Sequence, residues 1–312
     1  MPWKDGYTIS DERGVADADV RWPDDATCCF SITVALGPTC GPIGITARDL
    51  DTPENYYGLH GGLDALRETL ARHGMRATFA VPGVIAVLYP EIVRSLHADG
   101  HEIAAHGWCH EDVSTLDRAE ERERIRHTVA VLKEATGEQP AGWYCLPRAG
   151  DKYAVGAISP HTVPLLLEEG FDYLGNSPAD DVPHYWVADP AGPVAMLAMP
   201  YYYPFDDQFY LLFPARGTGL EHADALDRNW RAEFAEQYRR GRAFTMNLHP
   251  HAIAWPNRLR RLDAFLEHTA AHPGLWNATA GQCAQHWLDT YPAESTLRLE
   301  PSIWQHHEDS LN

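Results

Sequence analysis

The sequence predicts an α/β protein, a parallel (β/α) barrel, and three observations carry that prediction. Short apolar runs rich in β-branched and aromatic residues alternate with amphipathic segments, the pattern of βα units. The amphipathic segments stop at Gly74, Gly100, Gly137 and Gly170, and glycine is the residue that most easily closes a helix. Polar and aromatic clusters fall directly after the apolar runs, where a parallel barrel gathers its strand ends at one mouth.

The elements follow in order. Cys28–Leu36 (CCFSITVAL) is short and apolar, a buried strand, and 37–52 is a loop of Gly, Pro and Thr. The spacing of apolar residues predicts a helix over 63–73, and Ala77–Val81 (ATFAV) reads as the second strand. A helix over 90–98 leads to a third strand, His101–Ala105. The charged stretch 119–136 is a long helix, followed by a strand at 142–146, a helix at 160–169 and a strand at 172–174. Later come strands near 194–199 and 243–248, with helices over 223–240, 257–271 and 278–291. Residues 1–25 are polar and read as an extended arm, 26–292 as one barrel domain, and 293–312 as a tail; no repeat or linker divides the chain.

With 312 residues, 45% of them hydrophobic, the chain can bury a large core. Lys plus Arg number 25 against 44 Asp plus Glu, a formal charge of −19. That balance argues against nucleic acid and anionic membrane surfaces, which call for a positive field. The six cysteines show no Cys-x-x-Cys pair, so a structural zinc ribbon is not expected. The N-terminus lacks a basic region followed by an apolar run, and no apolar stretch approaches a membrane span. The chain reads as cytoplasmic with free thiols.

Three strand-end clusters carry the candidate chemistry. His106 and His110 are four residues apart, which on one turn places their Cβ atoms about 5–6 Å apart, near enough to share a metal ion or one substrate group. Cys109 lies between them, as a packed small residue or a soft ligand. Trp143 and Tyr144, with Arg148, form the second cluster, and His249-Pro250-His251 the third. Two acidic pairs stand apart from these. Asp180-Asp181 reads as a solvated loop. Asp206-Asp207 lies among Tyr201, Tyr202, Tyr203, Phe205 and Phe209, where a carboxylate has to be paired or hydrogen-bonded.

In order along the chain, His73-Gly74-x-x-Ala77-Thr78-Phe79, Gly100-His101-Glu102-Ile103-Ala104-Ala105-His106-Gly107-x-x-His110 and Leu248-His249-Pro250 resemble the polysaccharide deacetylase superfamily. Gly142-Trp143-Tyr144 with Arg148, Asp180-Asp181-x-Pro183-x-Tyr185-Trp186 and Pro200-Tyr201 leading to Asp207 are similar to its branch containing the cofactor-independent bacterial allantoinase. The likeness spans about residues 26–290. It implies a distorted (β/α) barrel that hydrolyses C–N bonds of amides, acetamides or cyclic amides, and a homo-oligomer. In metal-dependent members two histidines, here His106 and His110, and a first-strand aspartate hold a divalent ion, often zinc. A second first-strand aspartate acts as base and the late histidine, here His249, as acid.

The first strand departs from that pattern: Ser31-Ile32-Thr33-Val34-Ala35-Leu36 holds no carboxylate. Two histidines alone make an incomplete zinc site. Three routes stay open: a substitute carboxylate from Asp49, Asp51 or Asp207, a metal-free reaction, or loss of activity. The expectation is an amide hydrolase for a small cyclic amide, ureide or N-acyl compound. In it His249 protonates the leaving nitrogen, Arg148 binds an oxyanion or carboxylate, and Trp143, Tyr144, Trp186 and Asp207 contact the substrate. The alternatives are a metal-dependent N-acetyl-sugar deacetylase and an inactive ligand-binding relative.

Overall fold

In the computed structural model, residues 12–147, 156–189, 194–212 and 222–299 are described. The strands are β1 (Glu12–Arg13), β2 (Cys28–Ala35), β3 (Thr78–Val81), β4 (Glu102–Ala105), β5 (Gly142–Trp143), β6 (Tyr173–Ser177), β7 (His184–Asp189), β8 (Val194–Pro200), β9 (Ala243–Leu248), β10 (Leu275–Asn277) and β11 (Arg298–Leu299). β1 and β11 pair with each other; the other nine form one sheet.

β2 organises that sheet because it is buried at every position and has no polar edge to present to water. It pairs in parallel with β9 on one side and with β10 and β3 on the other. The parallel order continues through β4, β5, β6 and β8, and β7 adds antiparallel to β8. Among the described residues the barrel is not closed. Beyond β8 the chain meets β9 through a single parallel bridge, Asp206 to Asn247.

Alternation along the strands sorts side chains into two layers. Phe30, Ile32 and Val34 of β2, Phe79 of β3 and Ile103 of β4 join the large cluster packed with the helices. Ala35, Ala80 and Ala104 join the other cluster with Tyr144, Tyr173 and Leu197. Trp22 of the N-terminal segment is buried in that second cluster, its ring 5.6 Å from Trp287 on the helix Ala280–Thr290.

The strands expected at 28–36, 77–81, 101–105, 172–174, 194–199 and 243–248 all occur, as do the helices at 90–98, 119–136 and 223–240. β7, β10 and the helices Ala47–Leu50, Pro53–Leu59, Gly83–Leu88, Asp207–Leu212 and Pro250–Ile253 were not expected. These are short and punctuated by Gly, Pro or acidic residues. Local periodicity is weak there, and packing on neighbours fixes them. Among the described residues, no helix is long and apolar enough to cross a membrane.

Candidate active site

β4 ends at Ala105, and the chain turns at once through Gly107 (φ 71°) and His110 (φ 57°). The second value is a left-handed conformation that residues other than glycine seldom adopt. The turn is held from outside: the carbonyls of Gly107 and Trp108 accept from Gly83 N and Val84 N at 3.0 and 2.8 Å, and Cys109 O accepts from Ile45 N at 2.7 Å. So His106 and His110 meet on a tight loop, with ring centroids 3.9 Å apart.

His110 is tightly engaged. Its Nε2 lies 2.8 Å from the Leu146 carbonyl oxygen, which can only accept, so Nε2 carries the proton. In the neutral ring Nδ1 then holds the lone pair, and Cys40 Sγ lies 3.6 Å from it. Cys40, and not Cys109, is the thiol lining the cleft. Cys109 N donates to Glu111 Oε2 at 2.7 Å and its Sγ to the Ile43 carbonyl at 4.0 Å, and burial first, then the Glu111 charge, pushes its thiol up to about 12.

His249 begins where β9 ends, and Asp207 begins the helix Asp207–Leu212; the two side chains are buried together. Asp207 Oδ1 accepts from His249 Nδ1 at 2.8 Å and Oδ2 from the His249 backbone N at 3.0 Å. Asp206 Oδ1 stands 3.8 Å from the same Nδ1, and its Oδ2 accepts from Tyr201 OH at 3.2 Å. Burial by itself would lower the pKa of His249; the Asp206 charge, with the hydrogen bond and charge of Asp207, outweighs it and the pKa is raised. His249 Nε2 is left for the cleft.

His106, His110 and His249 line one cavity of about 10 Å3, room for a single water molecule. Gly37, Pro38, Thr39, Cys40, Pro82 and Gln208 complete much of its wall. Two clusters far apart in sequence are therefore neighbours in space. Arg148 lies outside the described residues. Asp207 reaches the site through His249. Trp143 packs against Phe171 in the helix-facing core, its Nε1 donating to Cys145 Sγ. Tyr144 is buried, its OH 3.2 Å from Thr33 Oγ1, and Trp186 packs against the main core. None of these three aromatics lines the histidine cleft.

The carboxylates that sequence left open as substitutes also find places. Asp49 caps a helix by accepting from Thr46 N and Oγ1, and Asp51 is exposed. Among the described residues no carboxylate lines the His106/His110 cavity, and both nitrogens of His110 already face protein atoms. These residues do not compose a two-histidine, one-carboxylate centre. The described residues that do bring three donor atoms within 4.8 Å of one another are Asp206, Asp207 and His249, a group able to hold a metal ion. Asp206 as part of that group, and Gln208, were missed by sequence reasoning. The aromatic setting of Asp206-Asp207 was the one available signal, and nothing local marked Gln208.

A family model described as polysaccharide deacetylase matches residues 54–158. The peptidoglycan deacetylase of Helicobacter pylori is 23% identical over 287 residues, spanning 78% of this chain and 95% of its own. A Mycobacterium smegmatis structure assigned to the polysaccharide deacetylases superposes with a TM-score of 0.74 at 28% identity, over 86% of this chain and 92% of its own. The PuuE allantoinase structure shares the fold with a TM-score of 0.75 at 23% identity, over 90% of this chain and 95% of its own. An open parallel barrel with these relatives is a deacetylase-like hydrolase of the class that acts on C–N bonds. The chain is similar to the polysaccharide deacetylases over residues 54–158 and shares the fold of structures assigned to that family.

Proposed function

We propose that the protein hydrolyses a C–N bond of a small cyclic amide, ureide or N-acyl compound, with His249 as the proton carrier. The carrying observation is the buried Asp207–His249 pair opening on a cavity that His106 and His110 share. Water attacks the carbonyl carbon and the C–O bond forms. As the C–N bond breaks, His249 Nε2 gives its proton to the leaving nitrogen, and the proton released by water restores it. The pKa of His249, lifted by two carboxylates against burial, keeps that proton available near neutrality.

The reading carries a small-molecule substrate, a homo-oligomer and a cytoplasmic setting. The six free cysteines suit a reducing compartment. A second reading, a metal-dependent N-acyl deacetylase, is favoured by the Asp206–Asp207–His249 group. There a divalent ion, zinc first among candidates, would supply Lewis-acid activation of water.

A panel of ureides, cyclic imides and acetamides, assayed with the wild type and His249→Ala, tests the proposal. Turnover of at least one compound is expected, with His249→Ala about 10²–10⁴-fold slower and its circular dichroism unchanged. Near-wild-type turnover in the variant would sink the role of His249.

A further inference from the structure

The helix that holds His249 through Asp207 presents a second polar side chain to the same cavity. Gln208 follows Asp207, is 4% exposed, and lines the cleft with His106, His110 and His249. Its carboxamide is fixed at one end. Oε1 accepts from Thr39 Oγ1 at 3.1 Å and lies 2.9 Å from His251 Nε2; Thr39 Oγ1 is 3.2 Å from that same nitrogen.

These three atoms form a triangle. The amide oxygen is the member with two lone pairs and no proton, so it can take both the hydroxyl and the imidazole proton. Oε1 can only accept, so its 2.9 Å approach places an imidazole N–H of His251 at Nε2. With Oε1 committed, the part of Gln208 left for the cavity is the NH2 group. Its two N–H donors sit on a planar unit that cannot turn away without losing both anchors. Among the described residues no hydrogen bond takes them. His110, by contrast, has its ring N–H committed to Leu146.

We propose that the Gln208 side-chain amide is the donor that receives the substrate carbonyl oxygen and the negative charge that grows on it when water attacks. The ligand class is a neutral planar carbonyl flanked by nitrogen: an amide, a ureide or an imide. The inference rests on the hydrolytic reading above and adds the residue that polarises the carbonyl. A preorganised donor in a water-poor cavity gains strength as the oxyanion forms, so its effect falls on kcat more than on KM.

Two variants test it on the substrate that the wild type turns over. Gln208→Glu keeps an oxygen that accepts from Thr39 and His251 and replaces the NH2 group by a second oxygen. Gln208→Leu removes both ends and carries no charge. Both are expected to lose about 10²–10³-fold in kcat, with KM changed less than about threefold. Thermal midpoints report folding, and Gln208→Leu decides the matter should the Glu variant not fold. Gln208→Glu, or failing it Gln208→Leu, with kcat within about threefold of wild type would overturn the proposal while leaving the hydrolase standing. So would a change confined to KM. A wild type inert on the whole panel would remove the hydrolytic reading, and this inference with it.

Discussion

His249 shows how a single residue's chemistry is set by its neighbours. An imidazole this deeply buried would by itself be neutral; Asp206 and Asp207 reverse that and raise its pKa. His251, two residues on and equally buried, has no carboxylate against its ring and is pushed the opposite way. A group with a raised folded pKa contributes stability that is fully present below its ordinary value of 6.5 and is lost as pH rises through the folded value. Asp207→Asn removes one of the charges and the strongest acceptor. We expect its urea midpoint to depend less on pH above 6.5 than that of the wild type. The alkaline fall in turnover should move to lower pH, since His249 loses its proton sooner. Unfolding curves and rate profiles over the same pH series check both, and coincident profiles for the two proteins would refute the pairing. Of the residues at this scale, His106, His110 and His249 were legible because histidine at strand ends is a conspicuous pattern. Gln208 was not, because an amide acquires meaning only from what anchors it.

At the scale of elements, the acidic pair after β6 corrects the sequence expectation of a solvated loop. Arg242, at the start of β9 and with its side chain 5% exposed, donates to Asp180 and Asp181 on that loop and to Asp17 on the N-terminal segment. Arg240 adds Asp17 and Asp181 at 2.8 Å each. One buried guanidinium thus ties three stretches of chain together where the barrel is open. Arg242→Ala strands the half-buried Asp180 beside Asp181, which keeps Arg240 and Gln237. We expect a loss of about 3 kcal/mol, the low end for breaking a buried pair because the carboxylates keep partial contact with water. Urea denaturation measures it, and a change below about 1 kcal/mol would mean that water replaces the guanidinium. The pairing was invisible in sequence because Asp17, Asp180, Asp181 and Arg242 are separated by long stretches of chain. The strands and long helices were legible because their periodicity is local and strong. β7 escaped because its pairing partner, β8, defines it.

At the scale of the whole molecule, the placement of donor atoms sets the expectation for metal. Both His110 nitrogens face protein atoms, the first-strand hydroxyls are used internally, with Ser31 donating to Ala278 O and Thr33 meeting Tyr144, and the cavity wall holds no described carboxylate. We therefore expect turnover to survive chelation and dialysis, with under about 0.1 equivalent of zinc by elemental analysis. Loss of activity restored by added zinc would instead favour Asp206, Asp207 and His249 as ligands.

The sequence by itself determined the run of strands and helices, the parallel βα alternation, the strand-end histidines and the carboxylate-free first strand. Each is written in local periodicity or residue type. Only the tertiary structure decided that Asp207 serves His249, that Trp143 and Tyr144 belong to the core, and that Gln208 faces the cavity. Those outcomes depend on which side of a strand or helix meets which neighbour, and closing the chain around β2 fixes that for residues far apart in sequence.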